Sequence, residues 1–325
     1  MDVFALTIGD RSAGSTKFRL VQYEPFLNEK GIRVEYVQRN DIDRHSHKRA
    51  KASDLVFNQK CIFNRGYAQK IISSAKAVVF DFDDAIYTRP GKPYSWITRI
   101  RVSYRLMIWL KHSTAITVAN HQLAAFASKY HGNVVVLPMS VNLENWHPGK
   151  RPEGRDVAVG WAGGPGNIAY IESLDPVLCR LHATEPGFKL KIYCGIKPRL
   201  QCPFDYVPFK DGTEADFVRT LDVGLLPLPD DEYSRGKSPI KAIQYLACGV
   251  PIVGNAVGAT AEIFKPEFGI RADADDDWYA AIRHLIQAPD ERASMGRLGA
   301  AFIERHHNFQ RTAERLAQLL LGIAS

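Results

Sequence analysis

The sequence of 325 residues contains little cysteine and no long apolar run. The number of cysteines, five, is odd and no pair has CxxC spacing, so we expect neither a disulfide framework nor a zinc ribbon. No segment approaches the roughly 20 consecutive apolar residues of a membrane span. The first ten residues, MDVFALTIGD, lack the basic and apolar regions of a signal peptide. These absences together predict a cytoplasmic location.

Several functional fingerprints are also missing. The sequence has no GxxxxGK[ST], no complete GxGxxG and no GxSxG, which argues against P-loop ATPases, dehydrogenases and serine hydrolases. No clustered Lys/Arg run or aromatic RNA-binding motif occurs, so we expect no nucleic-acid partner. The composition, 46% hydrophobic and 24% charged, is that of a globular protein. The net charge of +7 suits an anionic partner.

Short β-branched runs alternate with helical patterns along almost the whole chain, which predicts an α/β fold with parallel sheets. The polar segment Glu144–Asp156 carries two prolines and two glycines and is typical of an interdomain linker. We therefore predict two domains, residues 1–148 and 149–307. Parallel sheets bind ligands at the carboxyl ends of their strands, so the cleft between the domains is the expected site.

The segment Tyr233–Thr260 is the most informative part of the sequence. Ser238 is a suitable N-cap and Pro239 a suitable first helical residue, and the predicted helix stops at Gly249. Arg235 and Lys237 precede this helix, so cations and a helix N-terminus converge in one place. The pattern indicates an anion site that fits a diphosphate; the alternative is an ordinary capped surface helix.

This segment resembles the donor-site signature of GT-B glycosyltransferases of the family 4 type. The matching residues are Lys237, Lys241, Tyr245, Ala247, Gly249, Pro251 and Val253. Further similar stretches are Gly14–Leu20, Val157–Asn167 and Asp222–Pro227. The resemblance implies two Rossmann-like domains facing a central cleft, with a C-terminal helix, residues 308–325, packing back on the first. It also implies transfer of a sugar from a nucleotide-diphosphate sugar to a glycan, lipid-linked or small-molecule acceptor, with retention and without metal or other cofactor.

The resemblance also implies a set of donor-binding residues. These are Gly14, Ser15, Gly163, Gly164, Arg235, Lys237, Ser238, Lys241 and Gln244. The chain departs from the family pattern where two glutamates are usual, because Gly236 and Gln244 stand there. Gln244 can still hydrogen-bond a ribose, whereas Gly236 offers only backbone. A catalytically inactive nucleotide-sugar-binding relative is therefore an alternative.

Asp81, Asp83 and Asp84 form a second candidate site at the predicted carboxyl end of strand Ala77–Phe82. Three carboxylates so close should raise one pKa unless a cation lies near. The resemblance suggests Asp83 and Asp84 as catalytic residues, where the family often has a sugar-binding histidine. The alternatives are a DxD metal site, a haloacid-dehalogenase-type phosphohydrolase with Asp81 as nucleophile and Asp83 as acid/base, and plain structural caps.

The segment Trp96–His112 predicts a basic amphipathic helix. Ile97, Ile100 and Tyr104 share one helical face, while Arg101 and Arg105 lie on another. Such a helix can rest on an anionic membrane, which would place the protein peripherally at the inner face of the membrane near a lipid-linked acceptor. The alternative is a core-facing helix whose arginines reach to solvent.

Overall fold

The computed structural model describes residues 1–43, 45–91, 93–150, 154 and 156–324. Strands and helices alternate along this range, and the strand predicted at Ala77–Phe82 is present at Val78–Phe82. The strands are β1 (Asp2–Thr7), β2 (Arg33–Gln38), β3 (Leu55–Gln59), β4 (Val78–Phe82), β5 (Ala115–Val118), β6 (Val134–Val136), β7 (Val157–Ala162), β8 (Phe188–Cys194), β9 (Asp205–Pro208), β10 (Val223–Leu226), β11 (Ile252–Gly254) and β12 (Gly269–Arg271).

The helices cover both faces of the sheets, and short 3-10 turns occur at 21–23, 39–41 and 165–167. The α-helices are α1 (Gly14–Arg19), α2 (Glu24–Glu29), α3 (Ser46–Ala52), α4 (Arg65–Ser74), α5 (Trp96–His112), α6 (His121–Ala127), α7 (Ile168–Glu172), α8 (Asp175–Thr184), α9 (Glu214–Arg219), α10 (Glu232–Gly236), α11 (Ile240–Ala247), α12 (Ala259–Ile263), α13 (Asp275–Gln287), α14 (Pro289–His306) and α15 (Phe309–Ala324).

The strands form two six-stranded parallel sheets, with the orders β2-β1-β3-β4-β5-β6 and β12-β11-β10-β7-β8-β9. The prediction of an α/β fold with parallel sheets is thereby confirmed. Each sheet belongs to one compact unit: the first comprises 1–140, 231–238 and the chain from 309, and the second comprises 141–230 and 239–308. The boundaries drawn from the sequence, 1–148 and 149–307, stay a prediction.

The first unit buries apolar side chains on both faces of its sheet. Successive residues of a strand point to opposite faces, so Val3 and Ala5 join one core cluster while Phe4 and Leu6 join the other. The first of these clusters also contains one apolar stripe of α15, formed by Ala313, Leu316, Ala317 and Leu320. This stripe is therefore the packed face of the last helix.

The second unit has its own core on β7, β8 and β10, covered by α8 and α13. Helix α11 begins differently from the prediction. Its N-cap is Pro239 rather than Ser238, and the Ser238 side chain makes no capping hydrogen bond. Pro239 has no backbone N–H to donate. Ser238 belongs to the first unit, where its backbone N–H donates a hydrogen bond to Asp84. The predicted stop at Gly249 is confirmed, with φ of 66° in the left-handed region.

Two further expectations concern segments outside these cores. The predicted linker Glu144–Asp156 lies partly outside the described residues, because 151–153 and 155 are not among them. Of the helices that the structure describes, none combines the length and the apolar character needed to cross a bilayer.

Candidate functional site

The three aspartates at the end of β4 have different surroundings. Asp81 is fully buried and forms an ion pair with Arg19 of α1, whose Nε lies 3.1 Å from both carboxylate oxygens. Thr117, the register partner of Asp81 on β5, donates a hydrogen bond of 2.7 Å. Burial opposes the charge on Arg19, but the carboxylate of Asp81 raises the pKa of the guanidinium above its usual value. Asp81 is thus a structural anchor, which does not favour the phosphohydrolase alternative.

Asp83 and Asp84 share a different cation, Lys60, which follows β3. Its ammonium donates hydrogen bonds to Asp84 Oδ2 at 2.6 Å and to Ser15 Oγ at 2.8 Å, and it forms an ion pair with Asp83 Oδ1. Lys60 and Asp83 are buried, whereas the side chain of Asp84 is 22% exposed. Of the two proposed catalytic carboxylates, Asp84 is therefore the one that a ligand can reach.

The surroundings shift the pKa values of the two carboxyls in opposite directions. Burial raises the pKa of Asp83, and the neighbouring charge of Asp84 adds to this effect, against the opposing charge of Lys60. Burial also acts against the ionised form of Asp84. There, however, Lys60, the charge of Lys237 and the backbone N–H of Ser238 outweigh it and lower the pKa. Asp84 is the stronger acid of the pair and carries its negative charge across the neutral pH range.

The segment 231–238 belongs to the first unit and packs closely on it. Asp231 caps α10 by accepting a hydrogen bond of 2.7 Å from the Ser234 N–H. At Gly236 a Cβ atom would lie 2.8 Å from Ala85 Cβ, and the carbonyl of Gly236 accepts a hydrogen bond of 3.2 Å from Asn120 Nδ2. A glutamate does not fit there, which gives a physical reason for this departure from the family pattern.

Two serine hydroxyls of the segment are buried and find no hydrogen-bond partner among the described residues. They belong to Ser234 and Ser238, which are 0% and 7% exposed. Unpaired polar groups are uncommon inside proteins and call for an explanation. Lys237 lies next to Ser238, with its ammonium 5.9 Å from the ring centre of Tyr233. The segment 231–238 therefore combines two buried hydroxyl groups, which have no hydrogen-bond partner among the described residues, with the cation of Lys237.

In the second unit, Tyr245 fixes helix α11 to the sheet. Its hydroxyl accepts a hydrogen bond of 2.7 Å from the N–H of Ala162, the last residue of β7. Its ring lies against Gly224 on β10, where a Cβ atom would come within 2.5 Å of the ring. The next residue after β7, Gly163, packs against the ring of Trp161, which also leaves no room for a Cβ atom. The signature tyrosine and the glycine-rich turn are thus parts of one packed arrangement.

Lys241 and Gln244, one helical turn apart on α11, share a partner that the sequence did not reveal. Glu214, in the first turn of α9, forms an ion pair with Lys241, and its other oxygen accepts a hydrogen bond of 3.2 Å from Gln244 Nε2. The Oε1 atom of Gln244 is buried and accepts no hydrogen bond from the described residues. A carboxylate is therefore present beside Gln244 although the family's usual glutamate is not.

Exposed apolar side chains follow β8 and β9 at the carboxyl edge of the second sheet. Ile196 is 57% exposed and Phe209 is 49% exposed. Gly195 lies between them and the glycine-rich turn, since a Cβ atom there would be 3.5 Å from Pro165 and 4.0 Å from Phe209. This aromatic surface, which the sequence did not single out, adjoins the glycine-rich turn after β7.

The apolar side chains in the first half of helix α5 are exposed, which bears on the two interpretations drawn from the sequence, a membrane-docking helix and a core-facing helix. Ile97 and Ile100 are both 61% exposed, and Trp96 and Tyr104 are exposed as well. Only the second half of the helix, from Leu106 onward, enters the core. The core-facing interpretation is therefore wrong for the apolar face at the start of α5.

The predicted site residues thus fall into two groups. The first unit brings Ser15, Asp83 and Asp84 together around Lys60, with Ser238 bonded to Asp84. Gly14 is the first residue of α1, and Arg235 lies in the last turn of α10. Gly163, Gly164, Lys241 and Gln244 belong to the second unit. Among the described residues, no three His, Cys, Asp or Glu side chains are grouped to hold a metal ion.

Two comparisons of the sequence with known proteins found matches. Residues 178–318 match the family model described as "Glycosyl transferase-like". A stretch of 73 residues is 27% identical to the putative teichuronic acid biosynthesis glycosyltransferase TuaH of Bacillus subtilis (strain 168), covering 22% of this chain but only 18% of that protein. These matches support a glycosyltransferase.

Solved structures of similar fold align with almost the whole chain. Sucrose-phosphate synthase from Thermosynechococcus elongatus has a TM-score of 0.73 at 15% identity, with 100% of both chains covered. HepE from Anabaena, solved in complex with UDP-glucose, has a TM-score of 0.71 at 12% identity, covering 99% of this chain and 100% of that one. The fold is that of the GT-B glycosyltransferases, as the resemblance implied.

The buried pair of Asp81 and Arg19 leads to a stability prediction. Asp81→Asn leaves the Arg19 charge buried without its partner, so we expect a loss of about 3 kcal/mol in the free energy of unfolding. Urea denaturation measures this loss. Asp2→Asn is the matched control, because the Asp2–Arg33 pair is solvent-exposed and should contribute little. A variant of wild-type stability that loses a phosphatase activity would instead support Asp81 as a nucleophile.

Proposed function

We propose that the protein is a retaining, metal-independent glycosyltransferase of the family 4 type. It would move a sugar from a nucleotide-diphosphate sugar to a glycan or lipid-linked acceptor. The observation that carries this proposal is the pair of cations, Lys237 and Lys241, that bracket the start of the eight-residue helix α11. A helix N-terminus with flanking cations is suited to a diphosphate.

The leaving diphosphate develops negative charge as the bond to the sugar breaks. Arg235, Lys237 and Lys241 would stabilise this charge, together with backbone N–H groups of Gly163 and Gly164. Preorganised donors at such a position lower a barrier by several kcal/mol, on the order of 3 per donor. Side chains and amides would then supply the positive charge that a metal ion supplies in other enzymes.

The donor sugar would contact Asp84 and the hydroxyl of Ser238. The partly exposed carboxylate of Asp84 would accept hydrogen bonds from sugar hydroxyls, while buried Asp83 shares the same cation, Lys60. The Ser238 hydroxyl has unfilled hydrogen-bonding capacity, which a sugar or phosphate oxygen would satisfy. These interactions would hold the sugar in place and stabilise the positive charge of its transition state.

The nucleotide base would lie on Phe209 and Ile196. An aromatic ring and an aliphatic side chain, both exposed, offer a stacking surface of the kind that holds bases. Since HepE was solved with UDP-glucose, we propose a uridine nucleotide as the first donor to test. Gln244 would contact the ribose through its unpaired oxygen, oriented by Glu214.

The acceptor would be presented at a membrane surface. The exposed face of α5, formed by Trp96, Ile97, Ile100 and Tyr104, is apolar. Basic residues flank it at Arg99, Arg101, Arg105 and Lys111. Apolar insertion combined with attraction to anionic lipids is how peripheral amphipathic helices bind. A lipid-linked acceptor and a peripheral position at the membrane would follow from such docking.

The diphosphate site is tested by Lys237→Ala. Because a hydrogen bond to a charged group contributes about 1.5 kcal/mol or more, we expect UDP to bind at least about tenfold more weakly. Isothermal titration calorimetry measures the dissociation constant. Lys129→Ala, an exposed lysine of the same unit, is the control and should leave UDP affinity unchanged.

Three results would speak against the proposal. Equal UDP affinity in Lys237→Ala and the wild type would remove Lys237 from the site. Loss of all activity with EDTA and recovery with magnesium would contradict metal independence. Binding of UDP-glucose without its consumption, in the presence of acceptor extracts, would support the inactive-relative alternative.

Membrane docking is tested by reversing two charges, in Arg101→Glu/Arg105→Glu. Each basic residue near an anionic surface adds about 1 kcal/mol of binding, so we expect the variant to lose vesicle binding without unfolding. Sedimentation at low salt with phosphatidylglycerol vesicles measures the bound fraction, and the wild type should not bind neutral phosphatidylcholine vesicles.

A control with the same change in net charge separates the helix from general electrostatics. Lys51→Glu/Lys70→Glu changes two exposed lysines of the same unit and should keep most vesicle binding. If no wild-type protein sediments with anionic vesicles, α5 does not dock on membranes and a soluble acceptor is the better proposal.

A further inference from the structure

Lys60 has an unusual backbone conformation. Its φ is 56°, the only positive value for a residue other than glycine in the part of the chain that the structure describes. The turn is held by Asn58, whose side chain accepts from the Cys61 N–H and donates to the Cys61 carbonyl, both at 3.1 Å. A left-handed conformation is unfavourable for a lysine and natural for a glycine, so the side chain must account for the residue found here.

That side chain connects three loops at one edge of the sheet. Strands β1, β3 and β4 are neighbours, and their carboxyl ends lead to Ser15, Lys60 and Asp83 in turn. All three hydrogens of the Lys60 ammonium have an oxygen in reach, on Ser15, Asp83 and Asp84. The left-handed turn aims the ammonium at this set of oxygens.

Lys60 also balances charge. Asp83 faces Lys60 and the charges of Asp84 and Arg19, and Asp84 faces Lys60 together with Lys237 and the Ser238 N–H. Arg19 is already paired with Asp81. Without Lys60, two adjacent carboxylates would remain with only the partial compensation of Arg19 and Lys237. A buried carboxylate beside a second, partly buried one does not stay ionised together with it, and one of the two takes up a proton.

We propose that Lys60 is a positioning residue whose charge balances Asp83 and Asp84 and whose ammonium fixes both carboxyls against Ser15 during sugar transfer. The inference rests on the proposed function, because it assigns Lys60 a role in presenting Asp84 to the donor sugar. Lys60 itself is buried and acts through the two carboxylates. Its removal should therefore lower turnover more than nucleotide affinity.

The first test is the pH dependence of thermal stability in Lys60→Met. Without the ammonium, the pKa of Asp83 in the folded protein, already raised by burial, rises further above the unfolded value. A group with a raised pKa stabilises the fold at low pH and loses this contribution as pH rises through the folded pKa. The melting temperature of Lys60→Met should therefore fall relative to the wild type as the pH rises from the ordinary aspartate pKa of about 3.9 through the raised folded pKa of Asp83.

Matched variants isolate the charge. Lys60→Arg keeps the positive charge and should follow the wild-type profile. Lys60→Gly relieves the backbone but lacks the ammonium, so it should show the pH dependence of Lys60→Met. Lys60→Met/Asp83→Asn removes both partners and should lose that pH dependence, and it serves as the folding control if Lys60→Met is too unstable to purify at neutral pH. A Lys60→Met profile equal to that of the wild type would overturn the proposal.

The second test separates turnover from binding. With UDP-glucose, or another UDP-sugar that the wild type consumes, Lys60→Met should lower kcat at least about tenfold, because the carboxylates lose their fixed geometry. KM for the donor and the dissociation constant of UDP should change little. Unchanged kcat would overturn the positioning role and leave the proposed function standing. A wild type that neither binds UDP nor consumes any donor would overturn the proposed function. The pH profiles would still decide whether Lys60 balances the charge of the two carboxyls.

Discussion

The first unit depends on the neutralisation of negative charge at the end of β4. Three aspartates lie within four residues of one another there, and two of them are almost completely buried. Buried charge is tolerated only when it is paired and hydrogen-bonded. Arg19 pairs with Asp81, Lys60 with Asp83 and Asp84, and these pairings fix the loops after β1 and β3 relative to β4. The candidate catalytic carboxylates are thus held by the same interactions that stabilise the fold around them.

The same cluster explains why the segment 231–238 associates with the first unit. The Ser238 N–H and the charge of Lys237 act on Asp84, and Gly236 lets the backbone approach Ala85 closely. A side chain as large as glutamate would hold the segment away from this surface. The glycine that departs from the family pattern therefore has a definite packing role, and the departure is not by itself a sign of lost activity.

Much of the fold could be predicted from the sequence because its signals are local. β-branched runs such as Ala115–Val118 predict the strands, and the segment around Tyr245 predicts a helix that stops at Gly249. The cations Lys60 and Arg19 could not be predicted, because their partners lie 24 and 62 residues away in sequence. Glu214 was missed for the same reason. Ser238 fits an N-cap in the sequence, but its backbone is engaged by Asp84 in the first unit, which no local pattern reveals.

Lys60 holds Asp83 and Asp84 in one cluster in which the two carboxyls have different pKa values. Carbon-13 NMR of the aspartate carboxyl groups, with Asp83→Asn and Asp84→Asn to assign the signals, measures this directly. We expect Asp84 to titrate below the ordinary aspartate pKa of about 3.9 and Asp83 to titrate above it. If both carboxyls titrate together near the ordinary value, as solvated side chains do, the cluster does not exist in solution and Lys60 does not hold the two carboxyls.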